Sequence, residues 1–326
     1  MKHIARLLAI LATLTAGGEM AEAQQPGRFY RIGYLSNSDG NRQQEQAIEK
    51  ALRERGYTVG QNTVIEWRYT KGKSELLPDL AAELVRLKVD CLVASGILAT
   101  RAAKQATKVI PIVMSNASDD AIRLGLIASL ARPGGNITGV IEIVSDLAGK
   151  RLALLKEAFP KISKIGHLSD RSSPTGATHL KETEAASRAM RLRFQPLEVQ
   201  GPNDFENAFR AVKKQRAVAL IVATDGFIDG HRERVVELAN QTRLPVMYTS
   251  ADFVQAGGLM SYADNPLDRA ERAVVFIEKL LNGAKPGDLP VGQPTQFEFV
   301  INLKTAKKLN LTMPQSLLFR ADKVIK

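Results

Sequence analysis

The residues of this 326-residue chain that could carry out catalysis are one carboxylate pair and three histidines. Asp119 and Asp120 follow an apolar run, where they could act as general acid and base, although capping of a following helix explains them more simply. His167, His179 and His231 show no H-E-x-x-H spacing. The chain also lacks C-x-x-C and G-x-S-x-G patterns, so neither a zinc site nor a nucleophile elbow is predicted. We therefore predict that the protein is not an enzyme and uses no cofactor or metal.

Small polar residues that follow short apolar runs suggest binding rather than catalysis. Their hydroxyl and amide groups supply hydrogen-bond donors and acceptors beside open backbone N–H groups. Asp225 could pair with a ligand ammonium, and Phe227 could cover an apolar face of the ligand. Helix capping is the alternative for the polar residues and for Asp252, and core packing is the alternative for Phe227. The other residues of this kind are Ser36, Asn37, Ser115, Asn116, Asp170, Ser172 and Ser173.

Alternating β-rich and amphipathic segments must position these residues. The first half of the chain predicts strands at 31–35, 64–69, 89–94 and 110–114 and helices at 43–55, 74–87, 99–108 and 120–130. Such alternation predicts an α/β fold in which parallel sheets are covered on both faces. In open sheets of this kind, ligands bind beyond the carboxyl ends of the strands.

The second half of the chain repeats the first. The matching segments are IGYLS (32–36) with IGHLS (165–169), LVASG (92–96) with IVATDG (221–226), IPIVMSN (110–116) with LPVMYTS (244–250), and GGNITGV (134–140) with GGLMSYA (257–263). The four matches occur in the same order, between 123 and 134 residues apart. They predict an internal duplication, and hence two sheets whose polar rims face each other across a cleft.

The first 23 residues have the pattern of an export signal. A charged start precedes an apolar run at 7–14, which is shorter than the roughly 20 residues of a membrane-spanning helix. The small-x-small sequence Ala21-Glu22-Ala23 follows, so we expect cleavage near Ala23 and Gln24. No cysteine directly follows the apolar run, so we expect no lipid anchor and favour a periplasmic location.

Composition restricts the possible partners. Cys91 is the only cysteine and lies in an apolar run, which excludes an internal disulfide and predicts a buried thiol. The formal net charge is +11, but basic residues are mixed with acidic ones and no basic run reaches five. Solvated helix faces explain this pattern better than nucleic-acid binding does.

Several segments resemble one family of proteins. The sequence PTQFEFVINLKTAKKLNLTMPQSLLFRADKVI (294–325) is similar to the tail of the bacterial ABC-transporter substrate-binding family that includes tryptophan/tyrosine-binding proteins. Further similar segments are RERGYTVGQN (53–62), residues 65–69, LLPDLAAEL (76–84), GLIASLARPGGNITGV (125–140) and GGLMSY (257–262). The resemblance implies a type I periplasmic binding protein fold, with two Rossmann-like lobes of parallel sheets joined by a three-segment hinge.

The resemblance also implies boundaries and site residues. The implied divisions are a signal peptide at 1–23, lobe 1 at 28–140 plus 264–295, lobe 2 at 143–257, and a C-terminal hinge strand and tail at 296–326. Chain crossings are expected near 137–142, 259–263 and 297–301. The cleft contacts would be Ser36, Asn37, Ser95, Gly96, Ser115, Asn116, Asp170, Ser172, Ser173, Asp225, Phe227, Ser250 and Asp252.

The segment LARPGGNITGV (130–140) lacks the spacing of a phosphate-binding loop. Its pairing with GGLMSYA instead indicates that both stretches are turns that feed chain crossings. Glycine permits backbone conformations there that larger residues resist. The predicted hinge glycines are Gly134, Gly135, Gly139, Gly257 and Gly258.

These observations favour a monomeric periplasmic component of an ABC importer, which captures a small polar solute such as an amino acid and delivers it to a membrane permease. A periplasmic sensor that signals to a membrane receptor would use the same fold. An exported enzyme is a weaker alternative, since residues for a metal or nucleophile site are missing.

Overall fold

The computed structural model of the chain describes residues 28–40, 42–142, 145–214 and 216–326. The predicted export signal at 1–23 lies outside these residues. No helix in the described ranges is long and apolar enough to cross a membrane.

The first half of the described chain forms one sheet. Its elements are β1 (Tyr30–Ser36), α1 (Arg42–Arg53), β2 (Thr63–Tyr69), α2 (Leu77–Arg86), β3 (Cys91–Ser95), α3 (Ile97–Ala106), β4 (Ile112–Ser118) and β5 (Ile137–Glu142). The strands are all parallel, in the order β2-β1-β3-β4-β5. Every residue of β5 is buried, as expected for a strand whose two faces are both covered.

The second half forms a larger sheet. Its elements up to the next crossing are α4 (Ser145–Ala158), β6 (Lys164–Asp170), α5 (Pro174–Ala189), β7 (Arg193–Val199), α6 (Asp204–Lys214), β8 (Ala219–Val222), α7 (Gly226–Asp229), α8 (Arg232–Gln241), β9 (Val246–Tyr248), α9 (Ala251–Gln255) and β10 (Met260–Asp264). The chain then continues through α10 (Pro266–Leu281), β11 (Phe297–Asn302), α11 (Leu303–Lys308), α12 (Gln315–Arg320) and β12 (Lys323–Ile325). The strand order is β7-β6-β8-β9-β10-β11-β12, and only the β10–β11 pair is antiparallel among the described strands.

The strand orders confirm the internal duplication predicted from sequence. β1, β3, β4 and β5 hold the first copies of the matched segments, and β6, β8, β9 and β10 hold the second copies. The two sets follow each other in the same order across their sheets, with β2 and β7 at corresponding edges. The predicted α/β class with two parallel-dominated sheets is likewise confirmed.

The chain crosses between the two sheets three times. It passes from β5 to α4, returns from β10 to α10, and crosses again before β11. Helix α10 packs on the first sheet, because Ala273, Val274 and Ile277 share an apolar core with Ile32 and Val93. We therefore use lobe 1 for residues 28–142 with 266–292, and lobe 2 for 145–264 with 297–325. In this arrangement the C-terminal strands β11 and β12 extend the sheet of lobe 2.

Lobe 1 holds the only tryptophan of the sequence. The Trp67 ring lies 4.7 Å from the Tyr34 ring and stacks on Tyr69 with centroids 6.2 Å apart. Tyr34 belongs to the same apolar core of lobe 1 as residues of α10, and Trp67 and Tyr69 pack against that core. They are also close to the cleft, because Tyr34 lies two residues before the end of β1.

The predicted helix at 120–130 is wrong. The structure has a single 3-10 turn at Asp119–Ala121, followed by irregular turns. Gly125 adopts a φ of +65°, which interrupts a right-handed helix. Lys104 Nζ donates to the carbonyl of Leu126 at 3.1 Å, so this backbone acceptor is satisfied without a helix. The other predicted helices of the first half are present, although 74–87 begins as the 3-10 turn Ser74–Leu76.

Candidate functional site

A polar cavity lies between the lobes, at the carboxyl ends of the central strands of both sheets. Lobe 1 contributes Ser36, Asn37, Ser95, Gly96 and Asn116 to its lining. Lobe 2 contributes Asp170, Ser173, Asp225, Phe227, Ser250 and Asp252. All of these residues were predicted from the sequence, whereas Ser115 and Ser172 do not line the cavity. Contact between any of these residues and a ligand remains a prediction.

Helix capping and cavity lining occur in the same residues of lobe 2. Asp225 Oδ1 accepts hydrogen bonds from the backbone N–H groups of Phe227 at 3.0 Å and Ile228 at 2.9 Å, and so caps α7. The Ser173 and Ser250 hydroxyls cap α5 and α9 in the same way. Helix capping and cavity lining are therefore compatible roles for these residues. Each parallel strand ends at the edge of the sheet where the cavity lies, and the next helix begins there.

Phe227 is both a core residue and part of the cavity wall. Its ring stacks on Phe205 with centroids 5.5 Å apart and an interplanar angle of 11°. It also lies 4.8 Å from the His231 ring. The side chain thus belongs to the apolar core of lobe 2 and also lines the cavity.

Asn116 reaches the cavity through an irregularity in β4. The register of β4 against β5 shifts between Met114 and Ala117, and Asn116 adopts a φ of +58°. A bulge of this kind turns a side chain out of its regular direction. Opposite Met114, Gly139 has a φ of +129°, and a Cβ there would collide with the Met114 backbone. Glycine at 139 therefore permits the close approach of β5 to the bulged strand.

The other predicted hinge glycines lie in turns. Gly134 and Gly135 precede β5 with φ values of +68° and +63°, which favour glycine. Gly257 precedes β10 with a φ of +105°. Gly258 packs so closely on the Tyr248 ring and the Phe253 carbonyl that a Cβ would not fit without a shift. A role of these glycines in lobe movement stays a prediction.

The principal residue that sequence reasoning missed is Arg269, in the first turns of α10. Asn265 caps that helix, and Pro266 occupies its first turn. The Arg269 guanidinium donates to Asp264 Oδ2 at 2.6 Å and to Asn116 Oδ1 at 3.0 Å. Its Nε is buried and makes no hydrogen bond. One sequence signal could have indicated this position. Asn265 and Pro266 start a helix directly after β10, which holds the second copy of a repeated segment.

Two neighbouring carboxylates face the cavity from lobe 2. Asp170 is buried and accepts hydrogen bonds from the Ser172 backbone N–H and hydroxyl, both at 2.8 Å. Burial, together with the charge of Asp170, raises the pKa of Asp225 to about 7. Asp225 Oδ2 is buried and makes no hydrogen bond in the structure. Burial also raises the pKa of Asp170.

The lobes touch each other beside the cavity. Arg232 of lobe 2 donates to Asp39 of lobe 1 at 2.8 Å. Gly226 packs directly on Asn37, and Gly230 packs on Gly72, so that a Cβ at either glycine of lobe 2 would strike lobe 1. The strand-end loops of the two lobes are thus in direct contact in this structure.

Behind the cavity, lobe 2 contains a buried polar cluster that involves the crossing strands. Arg151 donates from Nε to the Tyr262 carbonyl of β10 at 2.7 Å, and its Nη2 lies 4.0 Å from Glu142 at the end of β5. His179 Nε2 lies 3.8 Å from the same carboxylate. Burial and the charge of Arg151 lower the pKa of His167 to about 3 and that of His179 well below its usual value.

The residues considered for catalysis are placed in structural roles. Asp120 accepts from Arg123 Nε at 2.9 Å and is hydrogen-bonded to Thr178 across the lobes, away from the cavity lining. His231 Nδ1 lies 2.9 Å from the Phe227 carbonyl. Within the described ranges, no group of three or more His, Cys, Asp or Glu residues is placed to hold a metal ion.

Two α/β lobes around a polar cleft define a type I periplasmic binding protein, and comparisons with known proteins agree. The profile of the family described as "ABC transporter substrate binding protein" matches residues 34–325. The chain belongs to this family of substrate-binding proteins, as the sequence resemblance implied.

Individual relatives extend the comparison. A tyrosine-binding protein of Clostridioides difficile (strain R20291) is 27% identical over 262 residues, which cover 80% of this chain and 75% of the relative. The structure of an ABC domain of Streptococcus pneumonia in complex with L-Trp is 27% identical with a TM-score of 0.83, covering 91% of this chain and all of that one. A conserved domain protein of Vibrio cholerae O1 biovar El Tor has a TM-score of 0.84 at 21% identity, covering 92% of this chain and all of that one.

Proposed function

We propose that the protein is the periplasmic solute-binding component of an ABC importer. It binds a small amino-acid-like solute between its lobes and delivers it, as a monomer, to a membrane permease without any chemical step. The observation that carries this proposal is the polar cavity between the lobes, to which both lobes contribute charged side chains.

The charges of the cavity suit an amino-acid-like solute. Arg269 offers a guanidinium, which binds carboxylates through well-directed hydrogen bonds, although it already donates to Asp264 and Asn116. Asp170 and Asp225 on the opposite lobe offer acceptors for an ammonium group. The names of two relatives, a tyrosine-binding protein and a domain in complex with L-Trp, point to the same class of solute.

Binding would couple to closure of the lobes. A solute that contacts Arg269 on lobe 1 and Asp225 on lobe 2 makes both sets of contacts only when the lobes are together. It therefore shifts the population toward the closed state. Recognition of that state by a permease would then report that solute is bound.

Thermal shift and calorimetry on the mature protein, with panels of amino acids, sugars and organic acids, test this function. We expect at least one amino-acid-like solute to bind. Arg269→Gln should weaken that binding at least about tenfold, since it removes hydrogen bonds from a charged donor. Arg272→Gln is the matched control, because Arg272 lies one turn further along α10 and bonds to Asp268 outside the cavity.

The proposal fails if no solute of any panel binds the wild-type protein. It also fails if Arg269→Gln and Arg272→Gln bind the solute equally well while both remain folded. Turnover of a bound compound by the wild-type protein would instead indicate an enzyme.

A further inference from the structure

The charge of the cavity lining is opposite to that of the whole chain. The sequence carries a formal net charge of +11. Among the described residues, the lining includes a single cationic side chain, that of Arg269. Its acidic residues are Glu142, Asp170, Asp225, Asp229, Asp252 and Asp264. Because the protein as a whole is basic, the acidic lining indicates that the binding site itself needs negative charge.

Several of the acidic residues have a protein cation nearby. Asp264 lies 2.6 Å from Arg269, and Asp229 lies 3.6 Å from Arg232. Glu142 lies 4.0 Å from Arg151. These carboxylates are compensated within the protein and need no charge from a ligand.

Asp170 and Asp225 differ from that group. Neither takes part in any ion pair of 4.0 Å or less with a described residue; Asp170 is hydrogen-bonded to Ser172, and Asp225 caps α7 through Oδ1. Their carboxylates are close enough to repel each other, and the nearby Ser173 hydroxyl only partly offsets the raised pKa of Asp225. Asp225 Oδ2 is buried and has no partner at hydrogen-bond distance. Adjacent buried carboxylates are unfavourable unless a proton or another cation compensates them.

The lining offers little surface for an aromatic solute. Phe227 is its single aromatic residue among those described, and its ring is engaged by Phe205 and His231. The aryl groups of tryptophan and tyrosine would therefore find few stacking partners here. The charges of the cavity, rather than its apolar surface, distinguish one solute from another.

We propose, resting on the proposed function, that the solute is a net cation, namely a basic amino acid or a related amine or guanidinium compound, whose positive group is bound by Asp170 and Asp225. A zwitterionic solute has no net charge, and its single ammonium group would be the only positive group that it offers to the carboxylates of Asp170 and Asp225. A solute with a net positive charge contributes a second positive group, so that both carboxylates can be compensated.

Calorimetry with L-arginine, agmatine, L-citrulline and L-tryptophan tests this inference. L-Citrulline matches L-arginine in shape but has a neutral side chain, and agmatine keeps the guanidinium without the carboxylate. We expect L-arginine to bind at least about tenfold more tightly than L-citrulline. Binding of agmatine as tight as that of L-arginine would support the cation site and show that the solute carboxylate contributes little. Weaker binding of agmatine supports the same site together with a carboxylate contact.

Variants locate the effect. Asp225→Asn retains an acceptor oxygen for the α7 cap and removes the charge, so the fold should persist. We expect Asp225→Asn and Asp170→Asn each to reduce the preference for L-arginine over L-citrulline at least about tenfold. Asp288→Asn, at an exposed position of lobe 1 outside the cavity, is the matched control and should leave the preference unchanged.

Two results overturn the inference. If L-citrulline, L-tryptophan or another neutral solute binds as tightly as L-arginine, the cation site is wrong while the solute-binding function stands. If the wild-type protein binds L-arginine but both Asp variants retain its full preference, Asp170 and Asp225 do not form the site. Failure of every solute in the broad panels overturns the proposed function as well.

Discussion

Tyr34 and His167 occupy matching positions in the two halves of the chain, in IGYLS and IGHLS, but their surroundings differ. Tyr34 packs against Trp67 and Tyr69 in the apolar core of lobe 1. His167 is fully buried in lobe 2, neither ring nitrogen makes a hydrogen bond, and the charge of Arg151 helps to lower its pKa to about 3. The same backbone position is therefore apolar and aromatic in one lobe and part of a buried polar cluster in the other.

The two strand pairs that lead to the crossings differ in a similar way. In lobe 1, Met114 lies opposite Gly139 beside a bulge that directs Asn116 toward Arg269. In lobe 2, Tyr248 lies opposite Ser261 in regular register, and no bulge occurs between β9 and β10. The two halves thus share one strand order, while single residues give each lobe different contacts.

The largest expected effect comes from breaking the polar cluster of lobe 2. Arg151→Met should lower the free energy of unfolding by about 3–5 kcal/mol, because it removes the cation beside the buried Glu142. Urea denaturation followed by circular dichroism measures this loss. The double variant Arg151→Met with Glu142→Gln should recover part of it, whereas Tyr34→Phe in lobe 1 should cost much less. Equal losses for Arg151→Met and Tyr34→Phe would contradict the contrast between the lobes.

The bulge of lobe 1 provides a second test. Gly139→Ala should cost about 2–4 kcal/mol, since the new methyl group strikes the Met114 backbone and the residue must keep a positive φ. Gly135→Ala, where the space is open and only the φ of +63° opposes the change, should cost about 1 kcal/mol. Thermal or urea unfolding compares the two variants. A cost for Gly139→Ala no greater than that for Gly135→Ala would show that the close approach does not constrain β5.

The pH dependence of stability gives a smaller effect. Burial and Asp170 raise the pKa of Asp225 to about 7, and burial raises the pKa of Asp229 to about 7 as well. Between about pH 4 and pH 7 the folded protein then binds more protons at these groups than the unfolded chain, so their contribution to stability falls as pH rises and levels off above pH 7. The buried His167 and His179, whose pKa values are lowered, act in the opposite direction below about pH 6.5.

Comparison of variants isolates Asp225 from these opposing groups. As pH rises from 4 to 7, the free energy of unfolding of Asp225→Asn should increase by about 1–2 kcal/mol relative to that of the wild type. The full pKa difference would give roughly 4 kcal/mol, and partial solvent access at Asp225 reduces this value. Unfolding curves of ligand-free protein across this range measure the gain, with Asp288→Asn as control. A difference between wild type and Asp225→Asn that does not change with pH would mean that Asp225 ionises normally.

Local sequence patterns predicted the strands, the duplication and the polar residues at the strand ends of the cavity, for one physical reason. A buried strand needs a continuous apolar run, and the polar residues that follow it both cap the next helix and form the rim, as Ser173, Asp225 and Ser250 do. Arg269 was missed because it lies within a helix, not directly after a strand, and only the fold brings it beside Asn116 and Asp264. The turn after Ala121 was missed because Gly125 and Lys104 stabilise an irregular path that helical periodicity does not reveal.

The single tryptophan makes lobe 1 spectroscopically distinct. Trp67 stands next to Tyr34 and Tyr69, and lobe 2 has no tryptophan of its own. Its emission therefore reports on lobe 1 alone, while far-ultraviolet dichroism reports on both lobes. Lobe 1 is also completed by α10, which is reached only after the chain has passed through lobe 2. In a chain that emerges from its N-terminus, the core of lobe 1 would consequently be complete only after most of lobe 2 has emerged.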